Sequence, residues 1–146
     1  MNVVVDSNIL FSALISGKEK YISIFRLSKA HVPDFIFGEI AKYQERIISK
    51  TRLEAELRSF VKALFAEITV IPRLAVSPEN YQKALALCNE IDPKDTPYVA
   101  LSIELEMPLW SNDKKLLQGL RNKGYQALVT TEEIFAMVEQ SPHGNT

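Results

Sequence analysis

The sequence is poor in soft metal ligands: its 146 residues include one cysteine, Cys88, and two histidines, His31 and His143. A lone thiol excludes an internal disulfide, and these three side chains fall short of the four ligands of a structural zinc site. Any bound metal must rest mainly on oxygen, which points to Mg²⁺ or Mn²⁺. Glycine is scarce too. The 5 glycines are scattered, and no Gly-rich turn follows the first apolar run, which argues against dinucleotide binding. No apolar run approaches the ~20 residues of a membrane span. Neither sign of charge prevails: 17 basic and 18 acidic residues leave a net charge of −1. That balance argues against tight, indiscriminate nucleic-acid binding. Met1 leads directly into Val3-Val4-Val5, with no basic leader and no small-residue cleavage site, so the expected compartment is the cytoplasm.

What is present reads as an ordinary globular chain, 47% hydrophobic and 24% charged. With no internal repeat or linker, the expectation is one domain over residues 1–140 and a frayed tail over 141–146. Asn2 to Val5 is a short β-branched run, as in a buried strand. Ser7 to Ile15 and Tyr21 to Lys29 carry helical spacing, and His31-Val32 is a weak strand signal. Asp34 is an expected N-cap for a helix with Phe35, Ile36, Ile40, Tyr43 and Ile47 on its apolar side.

Thr51 to Glu54 reads as a capping box before Leu53, Leu57, Phe60, Val61 and Leu64. Ile68 to Ile71 is a strand limited by Pro72. Ser77-Pro78 opens a helix to about Ile91, Asp95 to Glu106 is another, and Pro108 to Ser111 is a strand. A helix from Lys114 ends near Gly124, Ala127 to Val129 is the last strand, and Thr130 to Glu133 is a capping box for a final helix. Strands alternating with helices, with no hairpin turn, imply an α/β three-layer sandwich. Its centre would be a parallel sheet of about five strands flanked by helices. In such sheets ligands bind at the carboxyl ends of the strands.

Four acids stand out on that map, and the first two should emerge on that edge. Asp6 closes the first strand, and Asp113 follows the Pro108 strand by two residues. Asp95 opens a helix after Asp92-Pro93-Lys94, and Glu39 lies in the first turns of the Asp34 helix. Each has a structural alternative: Asp95 and Asp113 suit N-caps, Glu39 suits a solvated helix face, and Asp92 suits the turn before Pro93. Asp6 is the hardest to explain by structure alone, because a charge ending a buried strand needs a partner. Two stretches are basic: Lys42 to Lys62 holds Lys42, Arg46, Lys50, Arg52, Arg58 and Lys62 against three acids, and Lys114 to Lys123 holds no acid.

Val4-Val5-Asp6-Ser7-Asn8-Ile9-Leu10 resembles the opening motif of PIN-domain ribonucleases. Pro33 to Glu39, Asp95 to Leu101, and Trp110-Ser111-Asn112-Asp113 resemble that family's second, third and fourth motifs. Leu128 to Ile134 resembles its closing strand and helix. Ser7 and Ser111 stand where the family usually has threonine, and both keep a hydroxyl. The resemblance implies a metal-dependent endoribonuclease acting on single-stranded or structured RNA, leaving 5′-phosphate and 3′-hydroxyl ends. Asp6, Asp95 and Asp113 would bind Mg²⁺ or Mn²⁺, and Glu39 would complete the site. Asn8 and Ser111 would support the ligands, with a local hydrogen bond at the helix start as the equal alternative for Asn8; Lys114, Lys115, Lys42 and Arg46 would contact RNA, or else belong to solubilising helix faces.

Small PIN proteins are often toxins of VapC-like toxin–antitoxin pairs, so the resemblance also implies an antitoxin over the acidic site and a possible homodimer. The non-enzymatic alternative is an RNA- or protein-binding module with little turnover. A phosphotransfer receiver domain fits less well, because Asp6 stands alone and Val70-Ile71-Pro72 carries no acid. A phosphatase with Asp-x-Asp at its first strand fits no better, because Asn8 stands at the second position.

Overall fold

The computed structural model describes residues 1–51 and 54–140. The tail expected over 141–146, and Arg52 and Leu53, lie outside the described residues. Strands β1 (Val3–Val5), β2 (Ala30–Pro33), β3 (Ile68–Ile71), β4 (Leu109–Trp110) and β5 (Leu128–Val129) form one sheet. Its order is β3-β2-β1-β4-β5 and every pairing is parallel. The helices are α1 (Ser7–Ser16), α2 (Glu19–Leu27), α3 (Phe35–Lys50), α4 (Glu54–Phe65), α5 (Pro78–Cys88), α6 (Thr96–Leu105), α7 (Lys114–Asn122) and α8 (Thr131–Gln140). The expected α/β architecture is the observed one.

The centre of the sheet follows from side-chain chemistry. Val3, Val4 and Val5 are fully buried, and three β-branched residues favour the extended backbone that a central strand needs. Each contributes on the order of 1.5–3 kcal/mol through burial. Helix α6 lies across β1, β2 and β4, and α5 packs on α6. Its Tyr98, Val99, Ala100 and Leu101 are all buried, so α6 is apolar nearly all round, as a helix enclosed by sheet and neighbours should be.

The chain leaves β1 for β2 and β3 on one side, and β4 and β5 lie on the other. The β1/β4 boundary is therefore the switch point, where parallel sheets open a crevice. Val5 pairs with Trp110, so the next residues, Asp6 and Ser111, emerge side by side. The backbone N–H of Asp6 still donates to the Trp110 carbonyl at 2.9 Å.

Several local signals operate as expected. Thr130 and Glu133 cap each other reciprocally, at 3.1 and 3.2 Å. Gly124 takes φ +89 just past α7, a left-handed conformation that costs glycine little. One expectation is corrected. Asp34 makes no side-chain cap; its backbone is already helical, and its carboxylate accepts from the Arg73 N–H at 3.4 Å. The Thr51 hydroxyl donates to the Ile47 carbonyl at 2.8 Å at the end of α3, and the capping box expected over Thr51 to Glu54 runs through residues outside the described ones.

Candidate functional site

The four acids reach one cavity, of about 440 Å³, at the carboxyl edge of the sheet. Asp6 comes from the end of β1, Glu39 from α3, Asp95 from the turn before α6, and Asp113 from the turn after β4. Asp92 also lines it, while its own carboxylate accepts from the Lys94 N–H at 3.0 Å, as a turn residue should.

Asp6 is 3% exposed. One oxygen accepts the Ser7 N–H at 2.9 Å and the other accepts the Ser111 hydroxyl at 2.7 Å. The Ser111 oxygen in turn accepts the Asp113 N–H at 3.0 Å. A single serine thus fixes the ends of β1 and β4 to each other. Burial pushes the Asp6 pKa from its ordinary 3.8 up to about 6, with a smaller push from the Asp113 and Glu39 charges.

Asp95 and Asp113 both stand at helix starts, yet they are used differently. Asp113 caps α7 by accepting the Leu116 N–H at 3.1 Å. Asp95 makes no side-chain cap bond, because its own backbone is already helical. Burial raises its pKa to about 7, and the Asp6, Asp92, Asp113 and Glu39 charges push the same way. Among the described residues, neither Asp6 nor Asp95 forms an ion pair.

Glu39 accepts a hydrogen bond from the Tyr98 hydroxyl. Burial raises the Glu39 pKa, opposed by Tyr98 and by the charges of Lys94 and Lys42. Asn8 points into the same cavity, and its side-chain oxygen is buried without a hydrogen-bond partner. The donors are all hard oxygens, which suit a hard divalent cation and not a soft one. Among the described residues, no three His, Cys, Asp or Glu side chains are already gathered into a metal-holding group.

Of the cations expected to meet RNA, Arg46 lines the cavity, whereas Lys42 lies over the Tyr43 ring at 5.4 Å from its centroid. Lys114 and Lys115 are exposed on the first turn of α7, outside the cavity wall. Sequence reasoning missed Tyr98, Lys94 and Lys50 as parts of the site. A helical-spacing argument would have found two of them. Tyr98 sits one turn beyond Asp95, and Lys50 shares the face of Glu39.

A second cleft, of about 450 Å³, runs between α3 and α4 and is lined mostly by apolar side chains, among them Ile40, Ile48, Leu57, Val61 and Phe65. Trp110 is fully buried against Phe25, as its apolar strand predicts.

A parallel five-stranded sheet with carboxylates gathered at its switch point defines the class of protein. The chain belongs to the PIN domain family, whose sequence pattern it matches over residues 4–136. Members of that family are commonly nucleases. The structure is similar to the crystal structure of PAE2754 from Pyrobaculum aerophilum. The TM-score is 0.66 at 14% sequence identity, and the match covers 96% of this chain and 91% of that one. At that identity the likeness speaks to fold. No curated protein matches the sequence. Among the described residues, no helix is long and apolar enough to cross a membrane.

Proposed function

We propose that the protein is a metal-dependent endoribonuclease that hydrolyses RNA phosphodiester bonds at the acidic cavity. The observation that carries this reading is the convergence of Asp6, Glu39, Asp95 and Asp113 on one cavity at the switch point. Two of them, Asp6 and Asp95, are held at raised pKa with no cation paired to them among the described residues. Buried carboxylates crowded this way are stabilised when a cation joins them.

Asp6, Asp95 and Asp113 would hold Mg²⁺ or Mn²⁺, directly or through water, and the unpartnered Asn8 oxygen would anchor a ligand or a bound water. When bound, the ion supplies an activated water and neutralises phosphate charge. The protein's own side chains do the rest. Ser111 fixes the rotamer of Asp6, Tyr98 fixes Glu39, and Glu39 is placed to orient a water or take its proton. Lys94 and Arg46 on the cavity wall offer charge to phosphate oxygens.

The proposed setting is cytoplasmic, as the toxin of a toxin–antitoxin pair. The apolar α3–α4 cleft supports a protein partner, either an antitoxin or a second copy of the chain. The rival reading is a binding module with little turnover, and it draws on the absence of a ready-gathered group of three ligands among the described residues.

Digestion of an RNA pool with purified protein tests both. Cleavage is expected with Mg²⁺ or Mn²⁺, none with EDTA, and a loss on the order of 10²–10³-fold in Asp95→Asn. Stoichiometric Mn²⁺ binding without cleavage of any RNA would establish the binding module instead.

A further inference from the structure

A separate cavity, of about 370 Å³, opens where β2 and β3 end, and it shares no lining residue with the acidic one. Pro33 and Ile71 are paired at the ends of these strands. The residues that follow them therefore emerge on the same carboxyl edge, where parallel sheets bind ligands. Asp34 leaves β2 there without capping α3, and its carboxylate accepts the Arg73 N–H at 3.4 Å. Pro72 limits β3, and a 3-10 turn over Arg73–Ala75 carries Arg73 to the cavity. The Arg73 guanidinium does not join Asp34. It lies over the ring of Tyr81, 3.9 Å from the centroid, and among the described residues it forms no ion pair. Helix α5 sets Tyr81 in place, its N–H donating to the Ser77 carbonyl at 3.0 Å. Pro33, Phe35, Ile71, Val76 and Pro97 line the rest. A carboxylate and a guanidinium thus share one largely apolar cavity without neutralising each other.

We infer that this cavity binds a free α-amino acid with an apolar side chain, of the size of leucine or phenylalanine. A guanidinium stacked on an aromatic ring is already ordered, and its N–H fork suits the two oxygens of a carboxylate. Asp34 suits an ammonium, and it repels a ligand that is only an anion. Arg73 in the same way repels one that is only a cation. A zwitterion meets both charges at once, and its apolar side chain lies against Phe35, Ile71 and Pro97. Apolar walls with a few placed polar groups, at this volume, are the usual make-up of a small-molecule site. Chain termini carry the same two charges singly, an ammonium at one end and a carboxylate at the other, so neither end alone satisfies the pair. The inference does not depend on the nuclease reading. One aromatic contact, Phe35 against Tyr98 with centroids 6.2 Å apart, lies between this cavity and the hydroxyl that holds Glu39.

Calorimetric titration of the full chain with L-leucine and with L-phenylalanine is the test. At least one of them should bind, a single molecule per chain, with a Kd on the order of 0.1–1 mM for so small a ligand. The amide of that amino acid lacks the carboxylate and its N-acetyl form lacks the ammonium. Each should bind about tenfold more weakly. In amide NMR spectra, the resonances of Asp34, Phe35 and Arg73 should shift on titration, while those of Asp6 and Asp113 hold still. Arg73→Gln should cut the advantage of the amino acid over its amide to about twofold or less, and Asp34→Asn should do the same against the N-acetyl form. Both side chains are exposed, and circular dichroism checks that each variant is folded. Lys83→Gln removes a charge from an exposed position of α5 outside the cavity, and should leave binding unchanged. Failure of both amino acids to bind would overturn the site, as would shifts centred on the acidic cavity. Equal binding by either capped form would also overturn it and assign the cavity to a chain terminus instead.

Discussion

The acidic cavity and the apolar α3–α4 cleft are nearly the same size, about 440 and 450 Å³, and both are walled by α3. Their energetics run in opposite directions. The cleft is lined by side chains such as Leu57, which folding buries at a gain. The cavity is lined by carboxylates that folding desolvates and crowds. One helix therefore carries a stabilising surface and a destabilising one on different faces. The difference separates residues kept for stability from residues whose presence only chemistry explains.

Asp6→Asn is the sharpest test of that separation, because it should remove function and add stability. Between its ordinary pKa of 3.8 and about 6, folded Asp6 keeps a proton that the unfolded chain has released. The metal-free protein therefore loses stability as pH rises through that window. The contribution is present below 3.8 and lost above about 6, and it is worth on the order of 3 kcal/mol. Asp95 acts in the same direction, up to about pH 7. Asp6→Asn should flatten the pH dependence of unfolding and raise metal-free stability at pH 8 by up to about 2 kcal/mol, after the altered Ser7 and Ser111 bonds are allowed for. Cleavage should fall on the order of 10²–10³-fold. Urea melts at several pH values read the first effect, and a variant less stable than the parent at pH 8 would sink the argument.

Leu57→Ala is the mirror experiment. Leu57 is 8% exposed in the cleft floor. Its truncation should cost about 2–4 kcal/mol in a denaturant melt, by lost transfer energy and a residual void. The metal-dependent rate of the folded protein should stay within about twofold, since no cavity residue is touched. A large drop in rate at full folding would show that the two surfaces of α3 are coupled.

Ser111→Ala probes the joint that holds the cavity together. The hydroxyl serves Asp6 and the Asp113 N–H at once, so its loss leaves one Asp6 oxygen and the Asp113 N–H without that partner, while the Ser7 N–H still holds the other Asp6 oxygen. The rate should fall about 10–100-fold, the usual cost of removing a group that orients a metal ligand. Because the Ser111 bond holds the Asp6 pKa down, the acid limb of the pH–rate profile should move to higher pH. A uniform loss of rate with an unmoved profile would assign Ser111 a purely structural role.

These residues differ in how plainly they could be read from sequence. Asp6 was legible because a β-branched run ends on it, and the parallel sheet that the alternating elements demand puts such an end at the binding edge. Asp113 was legible as both cap and site residue, and it serves the first role visibly. The Asp34 cap was misread because the side chain turns to Arg73, thirty-nine residues away in sequence. Lys114 and Lys115 sit beside Asp113 in sequence but outside the cavity wall, because the turn that presents the acid also starts α7. Tyr98 was read only as part of an apolar helix. Its polar end is visible only once α3 and α6 meet across the sheet edge, where it finds Glu39 from fifty-nine residues away.

Tyr98→Phe is therefore the smallest and most discriminating change. The ring is 1% exposed and packs edge to face with Phe35, centroids 6.2 Å apart, so phenylalanine fits without a new void. Only the hydroxyl is lost, at a stability cost of about 1 kcal/mol, the net worth of one hydrogen bond. That bond favours ionised Glu39, so its removal should raise the Glu39 pKa and let the carboxylate leave its fixed direction. The turnover rate should fall several-fold, about 3–10-fold, while KM and Mn²⁺ affinity barely change. In a Glu39→Gln background the same substitution should add almost nothing, because its route of action is gone. Additive losses in the double variant would show that Tyr98 acts on the site by some path other than Glu39. Such a result would break the contrast between the two faces of α3, since a buried core aromatic would then be contributing to the chemistry independently.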